Sequence, residues 1–201
     1  MNFLAHAWLA GESRSDRVGG MIGDFVKGPL PAGLPPALSD GVRLHRDLDS
    51  FAERHPAFRA SRARVPAERR RVAGILVDMF YDHFLARYWA EYHAAPLQVF
   101  TTDTYRLLEA HAPRLPARFA ALLPHIARED WLASYQDPGT IALALDRMAQ
   151  RLSRPALLIG SGVVLQHAYA GFEADFRAFM PAARAFSRQR QAARMLGAEK
   201  L

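Results

Sequence analysis

Hydrophobic residues recur at intervals of three and four along almost the whole chain, with polar residues between them. This spacing is typical of amphipathic α-helices, and the period-two alternation of half-buried strands is scarce. Prolines fall between the periodic segments, where they end one helix before the next begins. The pattern predicts an all-α protein with helices over 2–10, 39–55, 66–92, 97–111, 116–128, 140–152 and 156–179.

Three segments depart from this helical pattern. The polar sequence "GESRSDRVGG" at 11–20 predicts a loop, which leads into a short helical piece around "MIGDFVKG" at 21–28. The proline-rich sequence "PLPAGLPPA" at 29–37 cannot form regular structure. Residues 185–201 are predicted to fray from an amphipathic helix into a mobile basic tail. No repeat or linker divides the chain, so we expect residues 1–201 to form a single helical domain.

The most apolar helix contains an unexpected group of polar residues. The stretch "GILVDMFYDHFLARYW" at 74–89 places Asp78, Asp82 and His83 among large hydrophobic side chains. Residues four apart on a helix share a face, so the two carboxylates face each other across one turn. Two desolvated carboxylates repel each other unless a cation compensates them. The stretch therefore favours a cation site.

Other short segments offer side chains that bind metal ions. Asn2 and His6 form one i, i+4 pair, His45 and Asp49 form another, and Asp24 stands among apolar neighbours. The chain contains no cysteine, so any metal is held by nitrogen and oxygen ligands. A carboxylate-rich set of this kind favours hard divalent cations such as Mn²⁺ and Mg²⁺.

Structural explanations compete with a metal site. Asp78 or Asp82 can pair with an arginine such as Arg43 or Arg46, because buried carboxylates are often held in that way. His45 taken alone is typical of a hydrogen-bonded core histidine. His83 can direct its ring away from the carboxylates, and Asp24 can cap the short helix.

Composition and charge narrow the class of partner. Half of the residues are hydrophobic and 23% are charged, which is ordinary for a globular protein. The 26 Lys and Arg against 20 Asp and Glu give a formal net charge of +6. Arginine binds carboxylates and phosphates bidentately, so this charge favours an acidic partner. The competing explanation is a GC-rich genome that encodes arginine in place of lysine.

Missing motifs exclude several classes of protein. The N-terminus lacks the basic region and long apolar run of a signal peptide, and no stretch reaches ~18 consecutive apolar residues. We therefore expect a cytoplasmic protein without a membrane span. No Glu-x-x-His pair, no His-Glu-x-x-His motif and no Walker loop occur. These absences argue against a ferritin-like di-iron bundle, a zinc protease and a P-loop nucleotidase.

Four segments in the first half of the chain together resemble the bacterial acyl carrier protein phosphodiesterase family. They are "MNFLAH" at 1–6, "GDFVKG" at 23–28, "LHRDLDSF" at 44–51 and "RRVAGILVDMFYDHFLARYW" at 70–89. The resemblance runs in order from residue 1 to about residue 92, and the remainder is similar only in length and helical character.

The resemblance implies a fold, a reaction and a partner. The fold would be a helical domain related to the HD-domain metal phosphohydrolases. The reaction would be the Mn²⁺-dependent hydrolysis of the phosphodiester that joins 4′-phosphopantetheine to a serine of holo-acyl carrier protein. The acidic carrier protein would be the partner, with no nucleic acid and no membrane involved. The HD signature is a His-Asp dipeptide, whereas this chain has Asp82 before His83, so family ligands do not transfer one for one.

From the residues and the resemblance together we predict three sets of site residues. The metal ligands are Asp24, His45, Asp78 and Asp82. The catalytic residues, which orient the water or protonate the departing serine oxygen, are His6, Asp49 and His83. The substrate-binding residues, including an arginine run for the acidic carrier protein, are Lys27, Arg46, Arg69, Arg70 and Arg71.

Two other functions fit the same sequence. One is an HD-type phosphohydrolase that acts on a nucleotide. The other is a non-catalytic basic helical module that binds an acidic partner, in which case the central polar residues are structural ion pairs. Chelation distinguishes the second, because such a module binds its partner without a metal.

Overall fold

The computed structural model describes residues 1–150 and 154–198, and over these residues the chain is helical and without strands. The predicted all-α class is confirmed. The helices are α1 (Phe3–Leu9), α2 (Arg14–Ile22), α3 (Pro36–Arg54), α4 (Pro56–Arg64), α5 (Ala73–Arg87), α6 (Trp89–Tyr92), α7 (Leu97–Ala110), α8 (Ala117–Arg128), α9 (Trp131–Ser134), α10 (Pro138–Ala149), α11 (Gly162–His167) and α12 (Tyr169–Ala198). Short 3₁₀ turns cover Gly23–Phe25, Ala67–Val72, Ala112–Arg114 and Pro155–Leu157.

Helix α5 lies at the centre of the molecule because it is apolar on nearly every face. Helices α1, α4, α10 and α12 all pack against it. The main contact is aromatic: the rings of Phe80 and Phe172 have centroids 5.0 Å apart, and those of Tyr81 and Phe176 are 5.6 Å apart. Rings at these separations add to the stability gained from their buried area. The core therefore holds α5 rigidly, and with it any polar group that α5 carries.

Residues 14–20, predicted to be part of a loop, form most of helix α2. The Ser13 side chain caps the helix by accepting a hydrogen bond from the backbone amide of Asp16. Val18 and Met21 are fully buried on its inner face. The loop prediction is wrong because the glycines in this segment allow a close helix contact and do not make a turn.

Two further differences concern the segments around α5. Helix α4 follows α3 with only His55 between them, and its first residue is Pro56, which suits the first turn of a helix. The predicted helix over 66–92 is divided into the 3₁₀ turn Ala67–Val72 and helices α5 and α6. The backbone at Val72 (φ −110°, ψ 8°) and Tyr88 (φ −104°, ψ 23°) leaves the helical region and ends α5 at both sides.

The C-terminal segment is held against the domain, in place of the predicted mobile tail. Helix α12 continues to Ala198, and Ser187 donates a 2.6 Å hydrogen bond to the Leu9 carbonyl. Arg194 forms two hydrogen bonds of 2.8 and 2.7 Å to the buried carboxylate of Asp16. The predicted helix over 156–179 is divided into α11 and α12. The predicted helical residues 151–152 and the tail residues 199–201 lie outside the described residues.

No helix within the described part of the chain is both long enough and apolar enough to cross a membrane.

Candidate active site

A very close contact between α2 and α3 positions the site. A Cβ atom on Gly19 would lie 2.3 Å from the carbonyl carbon of Gly41, and one on Gly41 would lie 2.6 Å from the carbonyl oxygen of Ser15. Any larger residue at Gly19 or Gly41 would push the helices apart. This contact lets His45, one turn beyond Gly41 on α3, reach the backbone of α2.

The ring of His45 is fixed in orientation and tautomer. Its Nδ1 lies 2.9 Å from the carbonyl oxygen of Gly20, and a carbonyl only accepts, so Nδ1 carries the proton. A Cβ atom on Gly23 would lie 2.3 Å from the ring, so the glycine provides the space that the ring occupies. The other nitrogen, Nε2, lies 3.1 Å from Oδ2 of Asp49 and 3.5 Å from Oδ1 of Asp24.

This arrangement requires a positive charge at Nε2 of His45. Burial lowers the pKa of His45, but its hydrogen bonds to Asp24 and Asp49 outweigh burial and raise the pKa to about 9. The hydrogen bond from His45 in turn lowers the pKa of Asp24, whose side chain is 64% exposed. A neutral imidazole at this place needs another cation beside it to satisfy both carboxylates.

His6 forms a second imidazole pair with the same carboxylate. Its Nε2 lies 3.1 Å from Oδ1 of Asp49, and its ring stacks on that of His45 with centroids 3.8 Å apart. Burial and the neighbouring His45 lower the pKa of His6 to about 4, so this ring is neutral at pH 7. Because the carboxylate accepts, Nε2 donates. The opposite nitrogen, Nδ1, is buried and has no hydrogen-bond partner among the described residues.

A fifth group, the α-ammonium of Met1, joins Asp49 to Asp78. It lies 3.1 Å from Oδ1 of Asp49 and 2.8 Å from Oδ1 of Asp78. Burial lowers the pKa of this amine, but the two carboxylates outweigh burial and raise it to about 11. Burial likewise acts to raise the pKa of Asp49, yet the ammonium and the two histidines hold it well below its usual value. Asp49 and Asp78 thus share the Met1 ammonium in this structure.

The residues of this cluster fit a divalent metal ion. One ligand atom each from His6, His45 and Asp49 lie within 4.8 Å of one another, Asp24 contacts His45, and the Met1 ammonium joins Asp78 to Asp49. Imidazole nitrogens with several carboxylates and no thiolate suit Mn²⁺, Mg²⁺ or Zn²⁺. Nδ1 of His6 has no hydrogen-bond partner among the described residues and carries the lone pair of the neutral ring, which a metal ion can bind. The cluster therefore brings two of the predicted ligands, Asp24 and His45, together with His6 and Asp49, which the sequence predicts as catalytic residues.

Asp82 lies on the same helix as Asp78 but serves the end of another helix. Its two carboxylate oxygens accept hydrogen bonds from the backbone amides of Leu4 and Ala5, at 2.8 and 3.0 Å. These amides belong to the first turn of α1 and lack partners within that helix. Burial raises the pKa of Asp82 to about 7 against these two bonds. In this structure Asp82 therefore caps α1 and fixes His6, which differs from the metal-ligand role that the sequence predicts.

His83 faces away from the cluster. Its Nδ1 lies 2.8 Å from the carbonyl oxygen of Tyr135, and its Nε2 lies 2.9 Å from the hydroxyl of Tyr169. Both nitrogens are thus occupied in the core, and five residues at about 100° each turn His83 about 140° away from Asp78 around α5. The predicted catalytic role of His83 does not agree with this placement.

Comparison with known proteins connects this cluster to a family. A sequence model of the family described as acyl carrier protein phosphodiesterase matches residues 1–183. The chain belongs to this family. It is 37% identical to the acyl carrier protein phosphodiesterase of Serratia proteamaculans (strain 568), over 90% of this chain and 94% of the relative. Over the same shares of each chain, it is 35% identical to the Yersinia pestis protein of that name and 36% to that of Escherichia coli O157:H7.

No solved structure matches this chain. The relation to the HD-domain phosphohydrolases therefore stays a prediction.

The predicted substrate-binding residues lie in different settings. Arg46 donates to the carbonyls of Val26 and Gly28, so it holds the loop that follows Asp24. Arg69 donates to the carbonyls of Leu157 and Ile159 and ties two surface turns together. Three of the predicted residues are exposed to solvent, namely Lys27, Arg70 and Arg71. The structure thus gives Arg46 and Arg69 structural contacts in place of a free guanidinium.

Sequence reasoning missed the glycines and the terminal amine. Gly19, Gly23 and Gly41 determine where His45 lies, yet glycines in a polar stretch suggest a turn. Their spacing offered one signal, because Gly19 and Gly23 are four residues apart and share a helix face. No sequence signal places the Met1 ammonium beside Asp78.

Proposed function

We propose that this protein hydrolyses the phosphodiester bond between 4′-phosphopantetheine and a serine of holo-acyl carrier protein, using a divalent cation, Mn²⁺ most favourably. The products are apo-acyl carrier protein and 4′-phosphopantetheine. Two independent lines support this: membership of a family whose relatives carry the name acyl carrier protein phosphodiesterase, and a histidine–carboxylate cluster suited to a metal.

The observation that carries the proposal is the environment of Nε2 of His45. Nδ1 of this ring is committed to the Gly20 carbonyl, and Nε2 faces Asp24 and Asp49. A purely structural histidine has no need of two carboxylates at one nitrogen. Such an arrangement is typical of a ligand whose tautomer is fixed by a partner on its far side.

The residues of the cluster divide into those that would hold the cation and those that position groups or transfer protons. Asp24, His45 and Asp49 would hold the cation, which supplies polarisation of the phosphoryl oxygens and a lower pKa for water. Asp49 also orients His6 through the bond to its Nε2. Because His6 is neutral at pH 7, it is in the form that can take a proton from the attacking water. Asp82 keeps His6 in place by capping α1.

The reaction is a single displacement at phosphorus, in which water replaces the serine oxygen. Water attacks the phosphorus, and the bond from phosphorus to the serine oxygen breaks. One proton of the water leaves through His6 and a proton is returned to the serine oxygen, which becomes the hydroxyl of the apo-protein. The phosphate stays with the pantetheine arm.

One assay tests the proposal. The protein is incubated with holo-acyl carrier protein with Mn²⁺, and separately with EDTA, and the carrier protein is weighed by mass spectrometry. We expect loss of the prosthetic group with Mn²⁺ and none with EDTA. Full activity after thorough chelation would remove the metal from the mechanism. A nucleotide diester and guanosine polyphosphates in parallel reactions test the rival phosphohydrolase function.

Single substitutions in the cluster test whether hydrolysis takes place there. We expect Asp24→Ala, His45→Ala and Asp49→Ala each to lower kcat by a factor on the order of 10² or more, since each removes a ligand or its support. Helical circular dichroism should be unchanged. His83→Asn is the comparison, because His83 lies in the core away from the cluster and its loss should lower stability more than kcat.

A further inference from the structure

A cavity of 450 Å³ lies beside the cluster and is not used by the chemistry described above. Its volume falls in the range of about 300–1,000 Å³ that is usual for small-molecule sites. Its walls are mainly apolar and include Phe3, Phe25, Met79, Trp131, Leu143 and Met148. A cavity of this size and composition suits a ligand that is partly apolar and as large as a cofactor.

The cavity is continuous with the candidate active site. Asp24 lines the cavity and also lies 3.5 Å from Nε2 of His45. Asn2 and Phe3 line it too, at the start of the short helix α1 that brings His6 to the cluster. A molecule whose phosphate lies at the cluster can therefore extend past Asp24 into the cavity without leaving the protein.

The wall next to Asp24 is rigid. The ring of Phe25 packs against that of Phe119 with centroids 5.1 Å apart and against that of Phe3 at 6.4 Å. Phe119 is fully buried, so Phe25 is held from behind. A cavity with a fixed wall is formed before the ligand arrives, which reduces the entropy lost on binding.

A few polar groups interrupt the apolar wall. Ser134 donates a 2.7 Å hydrogen bond to the Trp131 carbonyl, which leaves its oxygen free to accept a second one. Asn2 and Thr140 also line the cavity, as do Glu129 and Arg147, which form an ion pair with each other at 3.6 Å. Sparse donors and acceptors among apolar side chains match a chain of methylene and methyl groups that carries a small number of amides.

We propose that this cavity binds the pantetheine arm of the substrate, with its methyl and methylene groups against Phe25, Trp131 and Leu143 and its amides at Asn2, Ser134 and Thr140. This inference rests on the proposed function for the identity of the ligand. It makes Leu143 and Ala144, on adjacent positions of α10 in the cavity wall, specificity-determining residues.

The test fills the cavity and measures binding without catalysis. Ala144→Phe is titrated with 4′-phosphopantetheine by calorimetry, and its KM for holo-acyl carrier protein is measured in parallel. We expect binding to weaken and KM to rise by about tenfold or more, because the bulky ring occupies the space of the arm. Leu143→Ser is the second variant; Leu143 is 60% exposed, so this change does not threaten folding.

The matched control is Ala193→Phe, which makes the same substitution at an exposed position of α12. Ala193 lines a different cavity, together with Arg190. It should leave binding and KM unchanged. Wild-type-like binding and KM in both cavity variants would overturn the proposal while the hydrolase activity stands. If the wild type fails to hydrolyse holo-acyl carrier protein, the proposed function falls, and the calorimetric comparison still decides whether the cavity binds the arm.

Discussion

At the scale of single residues, the hydrogen-bond partners of each side chain determine whether it can bind a metal ion. His45 and His83 are both buried histidines with two occupied nitrogens. His45 uses one nitrogen for a carbonyl and turns the other to carboxylates, whereas His83 bonds a carbonyl and a tyrosine hydroxyl. Only the first arrangement leaves a nitrogen that a cation can use. The same comparison separates Asp49 from Asp82, whose oxygens are both committed to backbone amides.

The raised pKa of His45 predicts that Mn²⁺ binding depends on pH. His45 is protonated below its pKa of about 9, and a metal binds only the neutral ring, so binding releases one proton. The pKa of Asp24 and of Asp49 is lowered, and that of His6 is about 4, so none of these groups adds a proton between pH 6 and 8. We therefore expect the Mn²⁺ affinity to rise by about tenfold or more for each pH unit in this interval.

Electron paramagnetic resonance of free Mn²⁺ at pH 6, 7 and 8 measures this slope. His45→Gln provides the control, because it removes the proton that binding must displace. Its affinity should be lower and nearly independent of pH. An affinity of the wild type that does not change over these two units would show that Mn²⁺ does not bind at His45.

Substitutions of Asp82 and Asp24 should have opposite effects: the first should lower the stability of the protein, and the second should weaken metal binding. Asp82→Ala leaves two buried backbone amides without acceptors, which costs about 1–3 kcal/mol for each unsatisfied group, so we expect a marked loss in the free energy of unfolding. Asp24→Ala alters a side chain that is 64% exposed, and its unfolding free energy should stay within about 0.5 kcal/mol of the wild type.

Urea denaturation with EDTA and Mn²⁺ titration of both variants form the measurement. Asp24→Ala should weaken Mn²⁺ binding at least tenfold, and Asp82→Ala should do so only as far as it unfolds the protein. The reverse result, in which Asp82→Ala is as stable as the wild type but loses the metal, would restore Asp82 as a ligand.

At the scale of helices, the sequence identified those with a clear apolar stripe and missed those defined by small residues. Helices α3, α7 and α8 lie close to their predicted ranges because Leu, Val and Phe recur there at helical spacing. Helix α2 was hidden because Gly19 and Gly20 occupy the positions where a larger apolar residue would mark a buried face. Residues 66–92 have a continuous helical pattern, and the breaks at Val72 and Tyr88 arise from tertiary packing, which periodicity does not report.

The glycine beside His45 should be required for metal binding and not for folding as such. Gly23 has an ordinary helical backbone (φ −52°), so alanine is permitted there except that its Cβ would lie 2.3 Å from the His45 ring. We expect Gly23→Ala to displace the ring and weaken Mn²⁺ binding by about tenfold or more, since small errors in ligand position are costly.

Gly74→Ala is the matched control, because a Cβ atom there meets no atom within 4 Å. Removing a glycine from the first turn of α5 should stabilise the protein by about 0.5–1 kcal/mol and leave Mn²⁺ binding unchanged. Thermal unfolding and Mn²⁺ titration of both variants decide the matter. Equal metal binding in the two variants would mean that the His45 ring tolerates the extra methyl group.

At the scale of the whole molecule, the sequence indicated most of the residues that meet at the site but not how they divide the work. The i, i+4 pairs on α1, α3 and α5 predicted that polar side chains converge. Which face of α5 meets α1 depends on the packing of both helices in the core. That packing turns Asp82 to the first turn of α1 and leaves Asp78 at the cluster. No local pattern carries this information, because it depends on residues almost 80 positions apart.

The placement of the arginines gives the last prediction, which concerns docking of the acidic carrier protein. Arg70 and Arg71 are exposed at the start of the segment that leads into α5, whereas Arg69 is engaged with the Leu157 and Ile159 carbonyls. Charge reversal of Arg70 and Arg71 to Glu should raise KM for holo-acyl carrier protein and flatten its dependence on salt. The reason is that exposed charges act on the encounter rate over about 8–10 Å. We expect little change in kcat.

The control reverses two exposed arginines elsewhere, Arg106 on α7 and Arg188 on α12. Each Arg-to-Glu change replaces a positive charge by a negative one, so both double variants shift the formal net charge from +6 to about +2. An effect of total charge would appear equally in both variants, whereas a docking surface near α5 would affect only the first. If KM and its salt dependence are unchanged by reversal of Arg70 and Arg71, the carrier protein docks on another face. Measuring KM between 50 and 300 mM NaCl, about the range over which surface charges become screened, separates these outcomes.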